Sequence, residues 1–524
     1  LTFNDKPAFF ESRCNMKKVL CIIISFVIGA LSFIPCYAAD KCGCGEAPII
    51  YVAALGSAQI VRDRGTENET VLFRPDTKQA VKIFAPIAPA AAKLLATKNY
   101  NAFGDVLISC INSLFGDLAL DGNGESKPNV TTEEQHPETS DHGIDTNYYF
   151  GYDFRLDPVE NARKLHNYIS EVKRITRHDT VRFRSSSMGG VVTAAYIKLY
   201  GTDDIETIIF QCCPLLGTAV AGELFNGKVE INKNALLNYG KQALPSLESD
   251  LAGGLLYILI DRLEIAGVWD DLLKIADKLI INLKDRVFAE SLIPIFGTLP
   301  GIWSFVPDDY YESAKEFMKL DQSSQSELIN KIDFYHYEVQ SRLEDLLHSA
   351  QNSGTKIYIL AGYNMQRTPL VTAHRATSDG TVDTCFASCG ATCAPIGETL
   401  PPNYKQARFI EKTYISPDCK IDASTCILPE STWFVKDMLH CKIHDAHREF
   451  YKILFSSKTQ LTVFDMEKYP QFMQNDTVNQ AFRPVTAERG EIIDSLQTLV
   501  ESASFLNFIK LVMKAAFMGI NYIK

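Results

Sequence analysis

Residues 180–184 (TVRFR) read as a strand, residues 185–187 as a serine turn, residues 191–200 (VVTAAYIKLY) as a helix, and residues 206–211 (ETIIFQ) as a second strand. Two parallel neighbours cannot be joined by a hairpin, so strand, helix and strand in this order specify a crossover connection. The same alternation extends outward. Residues 48–54 (PIIYVAA) form a β-branched run that enters a Leu55-Gly56-Ser57 turn, and Ala162, Leu165, Ile169 and Val172 repeat at helical spacing. The strand pattern returns at residues 356–361 (KIYILA) and 432–436 (TWFVK). An α/β fold follows, with a mostly parallel central sheet and helices on both faces.

Between residues 218 and 349 the character becomes helical, with long apolar-periodic stretches at 251–263 and 269–287, so a helical cap or lid is expected to interrupt the sheet. The expected organisation is a first core part over 40–217, the insertion over 218–349, a second core part over 350–460, and a closing helical segment over 461–524. At 524 residues and 46% hydrophobic content the chain has material for a large core. Its net charge of −11 argues against a nucleic-acid partner, because no Lys/Arg excess exists to displace phosphate counterions.

Residues 16–39 combine Met16-Lys17-Lys18, an uncharged run from 19 and a small-residue end, the pattern of a secretory signal peptide, with residues 1–15 lying upstream of it. An uncleaved anchor is the competing reading. A secreted or extracytoplasmic location is therefore expected. Downstream cysteines cluster at 42/44, 212/213, 385/389/393 and 419/426/441, and in an exported chain such clusters favour disulfides, Cys419 with Cys426 being the expected pair.

A serine on a sharp strand-to-helix turn has its hydroxyl thrust out of the sheet, and the helix N-terminus stabilises negative charge developing beside it. Ser187 occupies that place, with the small residues Ser185 and Gly189 on either side letting strand and helix pass closely. Serine needs a base oriented by a carboxylate, in the chain order Ser, Asp or Glu, His. Asp379, before Gly380, follows the 356–361 strand, and His440 follows the 432–436 strand. These three are the expected nucleophile, acid and base. His444 and His447 compete with His440. The trio at i, i+4 and i+7 also resembles a metal-binding helix face, but Cys441 stands where a zinc protease has its glutamate base. The expected oxyanion donors are the backbone amides of Met188 and Leu55.

Together these pieces resemble the lecithin:cholesterol acyltransferase-like lipase and acyltransferase family of the α/β-hydrolase superfamily. Residues 48–57 are similar to its first-strand oxyanion motif. Tyr152-Asp153-Phe154-Arg155 is like its Tyr-Asp-Trp-Arg element, and Ser187-Met188-Gly189-Gly190 is like its nucleophile elbow. Residues 213–218 resemble the stretch opening its lid, and Ser378-Asp379-Gly380-Thr381-Val382 its acid loop. The sequence departs from the family at Arg184, Ser185, Ser186, Ala53 and Ala54. The resemblance implies an α/β-hydrolase fold with a helical cap, and hydrolysis or transfer of fatty acyl groups of phospholipid or neutral-lipid esters through an acyl-serine. It implies neither metal nor cofactor. Apolar cap positions, among them Leu255, Leu259, Trp303 and Phe305, are expected to house acyl chains, with core packing as the competing role. Peripheral contact with a lipid surface is expected of such an enzyme. The alternative is a catalytically degenerate lipid-binding or surface-interaction protein that keeps the fold.

Overall fold

The computed structural model describes residues 41–73, 82–133, 136–137, 148–243 and 268–487. The fold below belongs to the unit Cys44–Lys524, one of two into which the chain divides. The expected signal peptide lies outside the described residues, as do Leu255, Leu259 and the 251–263 stretch.

Eight strands make the central sheet: β1 (Ile49–Val52), β2 (Tyr148–Phe150), β3 (Val181–Ser186), β4 (Ile205–Gln211), β5 (Lys356–Tyr363), β6 (Thr432–Lys436), β7 (Phe472–Asp476) and β8 (Ala481–Pro484). Their order is β2-β1-β3-β4-β5-β6-β7-β8. Every neighbouring pair is parallel except β7 with β8, which is antiparallel. The inner strands are buried on both faces, which is why they read as continuous apolar runs rather than alternating ones.

Among the described residues, ten helices of nine residues or more flank or extend the sheet: α1 (Ile87–Thr97), α2 (Tyr100–Phe115), α3 (Pro158–Thr176), α4 (Met188–Tyr200), α5 (Lys233–Ala243), α6 (Val268–Val287), α7 (Asp308–Phe317), α8 (Ser326–Phe334), α9 (Leu343–Asn352) and α10 (Asp445–Ser456). Successive strand residues point to opposite faces, and the core divides accordingly. Ile208, Phe210, Ile357 and Ile359 pack with Leu165 and Ile169 of α3, Val191 of α4 and Leu347 of α9. Their neighbours Ile209, Tyr358, Leu360 and Trp433 pack with Phe450 and Leu454 of α10. Helix α3 is fixed at its start by Asp157, whose carboxylate accepts from the Val159 amide at 2.9 Å, and by Pro158 in the first turn.

Between β4 and β5 the described residues are helical and carry their own core, in which Trp303, Tyr311, Ala314 and Leu328 are buried together. The final part of the expected 218–349 insertion instead covers the sheet. Tyr335, Val339, Leu343 and Leu347 join the cluster beneath α3 and α4. The insertion meets the core at Arg155, whose guanidinium is fixed by a buried ion pair within the core. Arg155 donates to Asp153 at 2.7 and 3.0 Å and to the Ser126 hydroxyl at 3.0 Å, while its carbonyl accepts from the Gly301 amide at 3.1 Å.

The C-terminal segment corrects one expectation. Described residues 461–487 contain no helix; they supply β7 and β8, which extend the sheet past β6. Residues 488–524 lie outside the described residues. The expected Cys419–Cys426 bridge is not made either. Cys419 is exposed at the end of a turn closed by its amide on the Ser416 carbonyl at 2.8 Å, whereas Cys426 is buried. Among the described residues, no helix is long and apolar enough to cross a membrane.

Candidate active site

Ser187 is the residue on which the chain passes from β3 into α4. Its backbone adopts φ 51° and ψ −124°, a conformation rarely seen outside glycine and costly for a residue with a side chain. The turn is held by the Ser187 amide on the Gln211 carbonyl at 3.0 Å and by the Gly190 amide on the Ser187 carbonyl at 2.9 Å. Glycine is required next to it. A Cβ on Gly189 would lie 2.1 Å from the Val52 carbonyl oxygen and 2.9 Å from that of Ala53, both backbone atoms. Gly189→Ala is therefore expected to cost about 3 kcal/mol by overpacking, read as a lowered urea midpoint, with β1 or the Ser187 turn displaced.

Two of the residues that depart from the family pattern, Ser185 and Arg184, have partners here. Ser185 shares a 2.7 Å hydrogen bond with Thr193 one turn into α4. The Arg184 guanidinium lies 4.4 Å from the centroid of the Tyr51 ring, on the neighbouring strand. A cation over an aromatic face is worth about 0.5–2 kcal/mol, which offsets part of the cost of placing arginine in a central strand.

His440 enters from the turn after β6, where Asp437 and Cys441 both have positive φ. Its backbone amide donates to the Asp379 carbonyl at 2.8 Å, so His440 and Asp379 are joined through the main chain as well as the side chains. Nδ1 lies 2.7 Å from Asp379 Oδ2, and Nε2 lies 2.9 Å from Ser187 Oγ. An ionised carboxylate can only accept, so Nδ1 carries the proton and Nε2 presents its lone pair to the serine. The other oxygen of Asp379, Oδ1, accepts from the Thr381 and Val382 amides at 3.0 and 2.8 Å. Asp379 is fully buried. Burial disfavours a charged imidazole at His440, but the negative charge of Asp379 and the hydrogen bonds to Asp379 and Cys441 outweigh it, and the pKa is raised well above the usual histidine value.

Met188 is the first residue of α4. Its amide therefore belongs to a helix N-terminus, where backbone donors have no partner within the helix. Leu55 lies in the turn after β1, and the Val52–Ser185 register brings that turn out at the same end of the sheet as Ser187. The contact of Gly189 with Val52 and Ala53 keeps the two turns together.

His444 and His447 are placed elsewhere, and the three histidines do not share a helix face. The helix begins at Asp445, and His444 caps it by accepting from the Ala446 amide at 3.2 Å. Its Nε2 lies 2.6 Å from Asn475 Oδ1. His447 is buried with Nε2 3.2 Å from Met438 Sδ, and desolvation, assisted by His444 and Arg184, lowers its pKa to about 3.

Of the expected acyl-chain residues, Trp303 is a core residue of the insertion. It is 2% exposed, its indole donates to the Gly297 carbonyl at 2.9 Å, and its ring meets the edge of Phe225. Phe305 is half-buried between the insertion core and the sheet-face cluster. A cavity of about 130 Å³ does open beside the imidazole, lined by His440, Leu439, Lys442, Met365 and, from α5, Tyr239 and Gln242. The α5 residues carry no motif, so nothing in the sequence ties them to Asp379.

The acid loop is also pinned to the start of the insertion. Asp383 receives Arg367 Nη1 at 2.9 Å on one oxygen and the Ala219 amide at 2.8 Å on the other. Buried Glu223 accepts from the Ala373 amide at 3.0 Å and the Thr372 hydroxyl at 2.6 Å.

No family model matches the chain, and no curated protein matches it. Among solved structures, a chain described as "The crystal structure of Tle4-Tli4 complex" is similar at 13% identity, with a TM-score of 0.19. The match covers 34% of this chain and 48% of that one, about half its length. A likeness of that degree carries no argument.

Proposed function

We propose that this protein is an exported serine esterase or lipase with an α/β-hydrolase fold and a helical cap, which cleaves or transfers fatty acyl groups of phospholipid or neutral-lipid esters. The observation that carries the reading is the unbroken chain from Ser187 Oγ to His440 Nε2 at 2.9 Å and from His440 Nδ1 to Asp379 Oδ2 at 2.7 Å. Ser187 attacks the ester carbonyl while His440 takes its proton, and Asp379 holds the imidazolium that forms. The Met188 and Leu55 amides receive the oxyanion, with the α4 N-terminus adding its dipole. His440 then protonates the leaving alcohol, and water or a second alcohol releases the acyl group by the reverse path. The likeness to the lecithin:cholesterol acyltransferase-like family supports a lipid substrate and contact with a lipid surface.

The test is a panel of p-nitrophenyl esters and phospholipids assayed with wild type and Ser187→Ala, together with fluorophosphonate labelling. Labelling that disappears in the variant supports the enzyme. Lipid binding without labelling would replace it by the noncatalytic binder.

The pH dependence has a definite sign. A protonated His440 cannot accept the serine proton, and Asp379 holds the proton on. Activity is therefore low in acid, and kcat/KM rises with pH through a midpoint above the free imidazole value of about 6.5. His447, with its pKa near 3, remains neutral across this range and adds no second limb. A pH–rate profile with its midpoint at or below that of free imidazole would contradict the assignment.

A further inference from the structure

Cys212, which the proposed acyl-transfer steps leave unused, immediately follows β4, close to the relay. It is fully buried, has a positive φ of 53°, and is anchored by its amide on the Leu360 carbonyl at 2.9 Å. One ligand atom from each of Cys212, Asp379 and His440 lies within 4.8 Å of the other two. Thiolate sulfur, imidazole nitrogen and carboxylate oxygen form a donor set suited to a borderline-soft divalent cation, which binds them at about 2.0–2.3 Å and takes four ligands. His440 and Asp379 also line a cavity of about 130 Å³, so two of the three ligands are reached from it, while Cys212 lies buried behind them.

We propose that Cys212, Asp379 and His440 form an inhibitory site for zinc or a similar thiophilic divalent cation. The ion replaces the proton between His440 Nδ1 and Asp379, and Cys212 binds as the thiolate, its proton passing to solvent. Neutral imidazole keeps one proton, which then resides on Nε2. That nitrogen faces Ser187 Oγ at 2.9 Å. Carrying a proton, it has no lone pair with which to accept another. No bond to the serine is needed for the block, and removal of the ion restores the original tautomer. Binding stands on the geometry alone, whereas the inhibitory consequence rests on the proposed serine chemistry.

The experiment uses the full chain stripped of metal, with Co²⁺ and Zn²⁺ as probes. Co²⁺ titration is expected to produce a thiolate-to-cobalt absorption band that includes a component lost in Cys212→Ser and in Cys212→Ala. Zn²⁺ is expected to suppress fluorophosphonate labelling of the wild type, with recovery on adding EDTA. Either substitution raises the zinc concentration for half-suppression by about tenfold or more, while labelling in metal-free buffer stays near that of the wild type. Two variants with unchanged melting temperatures exclude misfolding as the cause. A cobalt spectrum that does not depend on Cys212, or equal zinc sensitivity in wild type and variants, overturns the proposal. A wild type that never labels removes the esterase reading, and the cobalt band still decides the metal site.

Discussion

Ser187→Ala is expected to lower kcat for p-nitrophenyl ester hydrolysis by about 10⁴–10⁶-fold, with KM little changed and fluorophosphonate labelling abolished. The size follows from the geometry. The Ser187 hydroxyl bonds to His440 Nε2, whereas that of its neighbour Ser186 bonds to the Cys441 thiol. The fold is expected to survive, because the turn is held by backbone contacts of Ser187 with Gln211 and Gly190 that alanine keeps. One lost side-chain hydrogen bond costs about 1 kcal/mol. Equal turnover by wild type and variant would mean that Ser187 is not the nucleophile.

Asp379→Asn is expected to reduce kcat by about 10⁴-fold without unfolding the protein. The environment of the carboxylate dictates how the amide must sit. Oδ1 accepts two backbone N–H groups, from Thr381 and Val382, and only a carbonyl oxygen satisfies both. The amide NH₂ is thereby turned toward His440 Nδ1, which must then act as acceptor and carry its proton on Nε2. The base is left in the wrong tautomer, facing Ser187 with a donor. The measurement is single-turnover acylation across pH, with imidazole nitrogen NMR reporting the proton's position. A variant that retains wild-type acylation, with the proton still on Nδ1, would remove Asp379 from the relay.

Ser187, Asp379 and His440 were legible because each follows an apolar run that reads as a strand, and the parallel sheet delivers the residues after such strands to one end. The choice among histidines was harder. Regular spacing of His440, His444 and His447 suggests one helix, but His444 caps that helix, leaving His440 in the preceding turn. Trp303 shows the limit of apolar spacing, which marks a residue as buried without telling core from binding surface. Strands β7 and β8 escaped notice because FMQND and AFRP are short and partly polar, and their strand character comes from pairing with β6 and with each other. The proximity of Cys212 to the relay depends on the β4–β5 register and leaves no local signature.

The double tether of Asp383 and Glu223 bears on any attempt to re-engineer the molecule. Excising residues 219–334, or exchanging them for another insertion, removes the amide that occupies one oxygen of Asp383 and the acceptor of Thr372 and Ala373. Asp383 lies four residues from Asp379 in the same loop, so the cut slackens the support of Asp379. A chimera keeps both tethers only if the graft begins after residue 224.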